Sequence, residues 1–449
     1  MMKTRQILLS VVATTCLFTS QVNATYSPSS NTSIDKTINL HAVEQDMQFL
    51  ASDQRQGRSI GSQGILEAED YIAAQFKSLG LKYYGNNESF KQKFQLHHFL
   101  PTEINVTLNN ESIAKENLAF IGTAPTIDWN EQKVNVVSVS ADDDIKEVMN
   151  NLNSQGDNAL VLVHPNHAEL FTRYQKSFQR GIKTTSQKQR SSLVLALTDL
   201  PKVTSLKVLA KVTQNKMNVA NMVAVLPGTE KADEFIIFSA HHDHLGVKQN
   251  SNADKIYNGA NDDASGVTAV LNLARHFSQT EHKRSIMFVT FTAEESGLIG
   301  SKYFTDFIDA DKIKAMINIE MIGKASEFGA GKYWMTGFER SNLADIFNKN
   351  LKPNDSQVYA DPYLKYGLFY RSDNASLAKL GVAAHSFSST QISNDEDYHQ
   401  ASDDLASLDL AQMTDVIKSI AMGSKSLING EDTPSKIELA EPKAPRLIY

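Results

Sequence analysis

The chain has almost no cysteine: among 449 residues only Cys16 carries a thiol. Cys16 lies in a segment that reads as cleaved from the mature protein, which then has no disulfide to form and no cysteine nucleophile. A basic excess is also missing, and the net charge of −7 argues against nucleic acid as the main partner. Beyond the N-terminus no apolar run approaches the ~20 residues that would span a bilayer. What remains is a globular composition, 41% hydrophobic and 21% charged. The length suits two domains, or one large domain carrying an insertion.

The N-terminus has the pattern of a secretory signal. Lys3 and Arg5 form a basic start, "ILLSVVATTCLF" is an apolar run, and "VNA" at 22–24 offers small residues for cleavage after Ala24. The expectation is export to the periplasm or the medium, with no membrane attachment after residues 1–24 are removed. From 40 to 80 the apolar spacing is helical, with Val43, Met47 and Leu50 and then Leu66, Ala68, Tyr71, Ile72 and Phe76. "GRSIGSQG" separates these two helices. Residues 92–217 change texture to short β-rich runs such as "VNVVSVS" and "ALVLVH", with one internal helix in "DDDIKEVMNNLNSQG". This stretch is expected to be a smaller inserted domain, between an N-terminal helical part (25–91) and a main domain (218–430). An extended tail follows (431–449).

After 218 the alternation is that of an α/β domain. "NMVAVLPG" and "EFIIFSA" read as two strands around a turn. "SIMFVTFT", "KAMINIEMI" and "VAAHSFSS" read as further strands, "ASGVTAVLNLARHF" as a helix, and "LAQMTDVIKSIAMGSKSLI" as one closing helix. Near-continuous apolar strands separated by helices predict a mainly parallel or mixed sheet sandwiched by helices. In such sheets, sites form beyond the carboxyl ends of the strands. Here one strand runs into His241 and Asp243, another into Glu294 and Glu295, and a third into Glu320. The loop after a fourth ends at His399, and Asp262-Asp263 precedes a helix. Each alone is ordinary: a histidine at a strand end is usually structural, and an Asp before a helix is usually a cap. Together they make the donor set that binds zinc.

The motifs "AHHDHLG", "GANDDASGV", "FTAEESGLIGS", "NIEMIG", "YRSDNASLAKLGV" and "DYHQASDDL" resemble metallopeptidase family 28, whose fold is that of the zinc exopeptidases, phosphorylase/hydrolase-like. The resemblance covers about 43–90 and 219–425, and the insert resembles a diverged protease-associated domain. It implies a two-zinc aminopeptidase acting on peptide substrates. His241 and Glu320 would bind one zinc and Glu295 and His399 the other, with Asp262 bridging. Glu294 would be the general base and Tyr398 the donor to the oxyanion. Asp243 would orient the His241 ring, while His242 and His244, facing the other way in an alternating strand, would pack locally. The resemblance also implies a cis peptide between Asp262 and Asp263. The simplest members carry Asp where this chain has Glu320, and many read Ser-Asp-His where it has Ser372-Asp373-Asn374. Two relatives of the same fold stand as alternatives: a glutaminyl cyclase with one zinc, and a receptor-like protein without activity.

Overall fold

A computed structural model of the chain describes residues 34–188, 190–248, 254–354 and 356–438. The segment read as a signal lies outside these residues, as does the end of the expected tail. No helix among the described residues is long and apolar enough to cross a membrane.

The main sheet is built on four adjacent parallel strands. In spatial order they are Ala384–Ser388, Ile313–Ile319, Lys231–His241 and Arg284–Phe291. All eight residues of Arg284–Phe291 are buried, as expected for a strand covered on both faces. The flanks are antiparallel: Tyr333–Met335 pairs with Ala384–Ser388, and Leu206–Leu226 pairs with Arg284–Phe291. The sheet is therefore mixed. The two strands expected around the turn after Leu226 are not neighbours, because Arg284–Phe291 lies between them and pairs with both.

Helices Leu40–Leu50, Ser265–Phe277 and Leu410–Gly423 cover one face through residues such as Met47, Val270, Leu273 and Ile417, all fully buried. The closing helix ends at Gly423, and the remainder of the expected single helix is a separate turn, Lys425–Ile428. Phe304, Leu377 and Val382 pack on the opposite face.

The inserted part has its own four-stranded sheet, in the order Leu118–Ile121, Leu193–Leu197, Ala159–Val163 and Asn135–Val139. Two helices pack with it, the expected Ile145–Gln155 and a second, Ala168–Gln179. Its expected borders at 92 and 217 fall inside two long strands, Lys91–Leu108 and Leu206–Leu226. These pair antiparallel along most of their length, so the main sheet continues into the insert without a linker.

Candidate metal centre

The parallel strands deliver their last residues to one place. Lys231–His241 ends on His241, whose Nδ1 lies 3.0 Å from the main-chain carbonyl of Asp243. That acceptor makes Nδ1 the protonated nitrogen and leaves the Nε2 lone pair free. Nε2 lies 3.1 Å from Asp262 Oδ1 and 3.3 Å from Glu320 Oε1. The Asp243 carboxylate, expected to orient this ring, is 3.8 Å from Nδ1 and instead accepts the Glu294 N–H at 3.0 Å. Residue 243 therefore orients His241 through its carbonyl, and its carboxylate steadies the turn that carries Glu294. Burial raises the pKa of Asp243 to about 6.

Asp262 comes from the turn Ala260–Ala264, in which the Asp262–Asp263 peptide is cis. Two further acids hold this turn. Asp263 accepts the N–H groups of His241 (3.2 Å), Gly266 (3.0 Å) and Met321 (3.1 Å). Asp403 accepts those of Asn261 (2.8 Å) and Asp262 (3.1 Å). Neither residue was given a role from sequence, although an acid in a turn with only N–H groups in reach has this role by default.

On the other side of Asp262, His399 Nε2 lies 3.2 Å from Asp262 Oδ2 and 3.2 Å from Glu295 Oε1. Backbone strain gathers here: Ala293, just before Glu294, Met321, just after Glu320, and His399 itself all have φ between 55° and 58°. For residues with a Cβ this conformation costs roughly 1–3 kcal/mol, which surrounding structure must offset, and such residues cluster at functional sites. Glu320 follows Ile319, and its Oε2 accepts the Ser372 hydroxyl at 2.6 Å. Ser372 thus acts on Glu320, while Asn374 donates to the carbonyls of Phe369 and Ala384 and is structural. Asp373 lies buried between them with neither oxygen hydrogen-bonded, and burial raises its pKa to about 7.

Glu294 borders the cavity over this cluster together with Tyr398. Burial pushes the Glu294 pKa well up; the charge of His241 opposes this and the carboxylate of Glu320 adds to it. Tyr398 stacks on His399 with ring centroids 3.9 Å apart. Burial, reinforced by the negative charge of Asp262, keeps its phenol protonated.

The two imidazoles expected to pack locally behave differently. His242 Nδ1 meets Thr290 Oγ1 at 3.0 Å, away from the cluster. His244 turns into the cluster, with Nδ1 2.9 Å from Glu295 Oε1 and 3.9 Å from Asp262 Oδ1. The alternation used to place it fails because the strand ends at His241.

These groups fit a metal. His241, Asp262 and Glu320 can close on one ion, and Asp262, Glu295 and His244 on another. At metal–ligand bonds of ~2.0–2.2 Å, ligand atoms on one ion stand roughly 3–3.5 Å apart, the separation found between His241 and its two carboxylates and between His399 and its two. Among the described residues no lysine or arginine pairs with Asp262, Glu294, Glu295 or Glu320. A buried carboxylate cluster without a cation would be strongly unfavourable. Glu320 is thus not the buried partner of a lysine or arginine among the described residues; its Oε1 meets His241.

Imidazoles and carboxylates converging beyond the carboxyl ends of a mostly parallel sheet define a metal-binding α/β protein. Residues 221–423 match the model of peptidase family M28, and this part of the chain is similar to that family. The fold is shared with an aminopeptidase from Aneurinibacillus sp. strain AM-1. That match has TM-score 0.59 and 20% identity, covering 92% of this chain and 99% of the other. It is also shared with a zinc aminopeptidase from Bacillus subtilis, with TM-score 0.54 and 13% identity, covering 89% and 98%. In sequence, 114 residues are 35% identical to a "Probable zinc metalloprotease" of Pyrenophora tritici-repentis, covering 24% of this chain and 25% of that protein. A leucine aminopeptidase of Neurospora crassa is 29% identical over 200 residues, 41% of this chain and 48% of its own length. The sequence match thus spans a quarter to a half of the length of these last two relatives.

Proposed function

We propose that the protein is an exported aminopeptidase that uses two zinc ions to hydrolyse the first peptide bond of peptides with a free N-terminus. The observation that carries this reading is the sharing of Asp262. Its two oxygens face two separate donor pairs, His241 with Glu320 and His399 with Glu295. A single-metal cyclase would leave one of these pairs without an ion. Bound there, two zinc ions would polarise the scissile carbonyl and make a water acidic enough to attack it. Glu294, held by its N–H on Asp243, takes the proton of the attacking water and returns it to the leaving amine. The protonated phenol of Tyr398 donates to the oxyanion that develops on the carbonyl. The acidic cavity attracts the ammonium of a free N-terminus. Met321, Trp334, Leu368 and Ile392 give the cavity an apolar wall that suits an apolar first side chain. The basic-then-apolar segment 1–24 supports export to the periplasm or the medium.

A panel of aminoacyl anilides and short peptides tests the reading. Leucyl and methionyl substrates with free amines should be turned over, their N-acetylated forms should not, and aspartyl forms should be poor. Equal hydrolysis of blocked peptides, or release of pyroglutamyl products alone, would refute it.

A further inference from the structure

We propose that His244 is a ligand of the second metal, so that this ion is held by two imidazoles and two carboxylates while the first is held by three protein groups. The proposal rests on the two-metal reading above. The His244 side chain is fully buried, and its Nδ1 points at the oxygen that also faces His399: Glu295 Oε1 is 2.9 Å from His244 and 3.2 Å from His399. Despite the short distance, the alignment is not that of a hydrogen bond, and neither ring nitrogen nor Glu295 Oε1 has a hydrogen-bond partner. A buried imidazole normally satisfies its nitrogens, and an orphaned Nδ1 set against an orphaned carboxylate oxygen is what two ligands of a common cation leave behind. The rings of His244 and His399 meet edge to face with centroids 5.9 Å apart, a separation two imidazoles on one ion can have. The ring is also fixed in place. The main-chain N–H of His244 donates to the Arg58 carbonyl at 3.3 Å, and any Cβ at Gly259 would lie 2.5 Å from the ring's Cγ and Cδ2, so residue 259 leaves a slot for the ring.

The consequence is an asymmetric pair. Four protein ligands, two nitrogens and two oxygens, make a closed tetrahedral site of the structural kind, whereas three leave a position open for water or substrate. The open position then falls on the His241–Glu320 side. The ion at His244 is the tighter and serves to hold Asp262 and Glu295.

Zinc affinities of the full chain, measured by chelator competition on wild type, His244→Ala and His244→Asn, test this, alongside the absorption of cobalt-substituted protein. Asparagine keeps an N–H where Nδ1 stands and so preserves any hydrogen bond to Glu295, but is a poor ligand. Both variants should hold one zinc as tightly as wild type and lose the other by more than about 100-fold, beyond the ~10–100-fold expected of a residue that only orients a ligand. The first cobalt equivalent in wild type should absorb with tetrahedral intensity, and that signature should vanish in His244→Asn. Wild-type affinity at both sites in His244→Asn, or a five- or six-coordinate spectrum for the first cobalt of wild type, overturns the proposal. The cobalt result decides it even where a variant fails to fold. A wild type that binds fewer than two zincs would instead count against the two-metal reading itself.

Discussion

Small differences in attachment separate the roles of adjacent residues. Glu294 and Glu295 are consecutive, yet Glu295 Oε1 meets two imidazoles while Glu294 is fixed only by its main chain and borders the cavity. In the proposed mechanism, one binds metal and the other exchanges a proton. Glu294→Gln keeps shape and polarity but cannot accept the proton, so it should retain the zinc content of wild type. Its kcat should fall by ~10²–10⁴-fold, the usual worth of a general base. Steady-state kinetics on metal-replete variant protein would check this, and near-normal turnover would remove Glu294 from the mechanism. His241, Asp262, Glu295, Glu320 and His399 were legible in the sequence because each follows an apolar strand or starts a helix, and strand ends converge. His244 was not, because period-two alternation was carried past the end of a strand into a loop. There the backbone turns, and sequence spacing no longer tells where a side chain points.

Among the elements, the loop between the first two helices has more to do than "GRSIGSQG" reveals as a Gly/Ser punctuation mark. Arg58 in this loop is fully buried and, among the described residues, pairs with no carboxylate. Its guanidinium donates to the carbonyls of Leu50 (2.7 Å), His242 (3.0 Å), Asn258 (2.7 Å) and Gly259 (2.8 Å). It thereby ties the end of the first helix to the segments that carry His241, His244 and Asp262. Its charge faces Asp403, Asp262, Asp263 and Asp243, so it also supplies fixed positive charge behind the site. Replacing it with methionine, of similar length but without donors, leaves four buried carbonyls short of a partner, at about 1–3 kcal/mol each where no water enters. Arg58→Met should therefore lower stability by more than about 3 kcal/mol and weaken zinc binding, read from a urea transition and a chelator titration. A stability within about 0.5 kcal/mol of wild type would contradict this role. The helices and strands themselves were readable from periodicity. What joined them was not: Arg58 bonds main-chain oxygens 184 to 201 residues away, and carbonyls carry no sequence signature.

At the scale of the whole molecule, the main sheet and an insert with its own core share two long strands, and the proposed ligands lie at or beyond the ends of the main sheet's strands and in the loops between them. The change of texture in the sequence coincides with the stretch that carries a separate four-stranded sheet. The seam was not visible, because a continuous antiparallel pair gives no composition shift where one layer passes into the next. The acidic cluster that this architecture gathers is proposed to be a two-metal hydrolytic centre. Its most direct test is a zinc titration of chelator-stripped protein, following release of leucine from a free-amine substrate. The stripped protein should be inactive, and activity should rise with added zinc to a plateau at two ions per chain. Activity that survives stripping, or a plateau at one ion with a second never bound, would contradict the account.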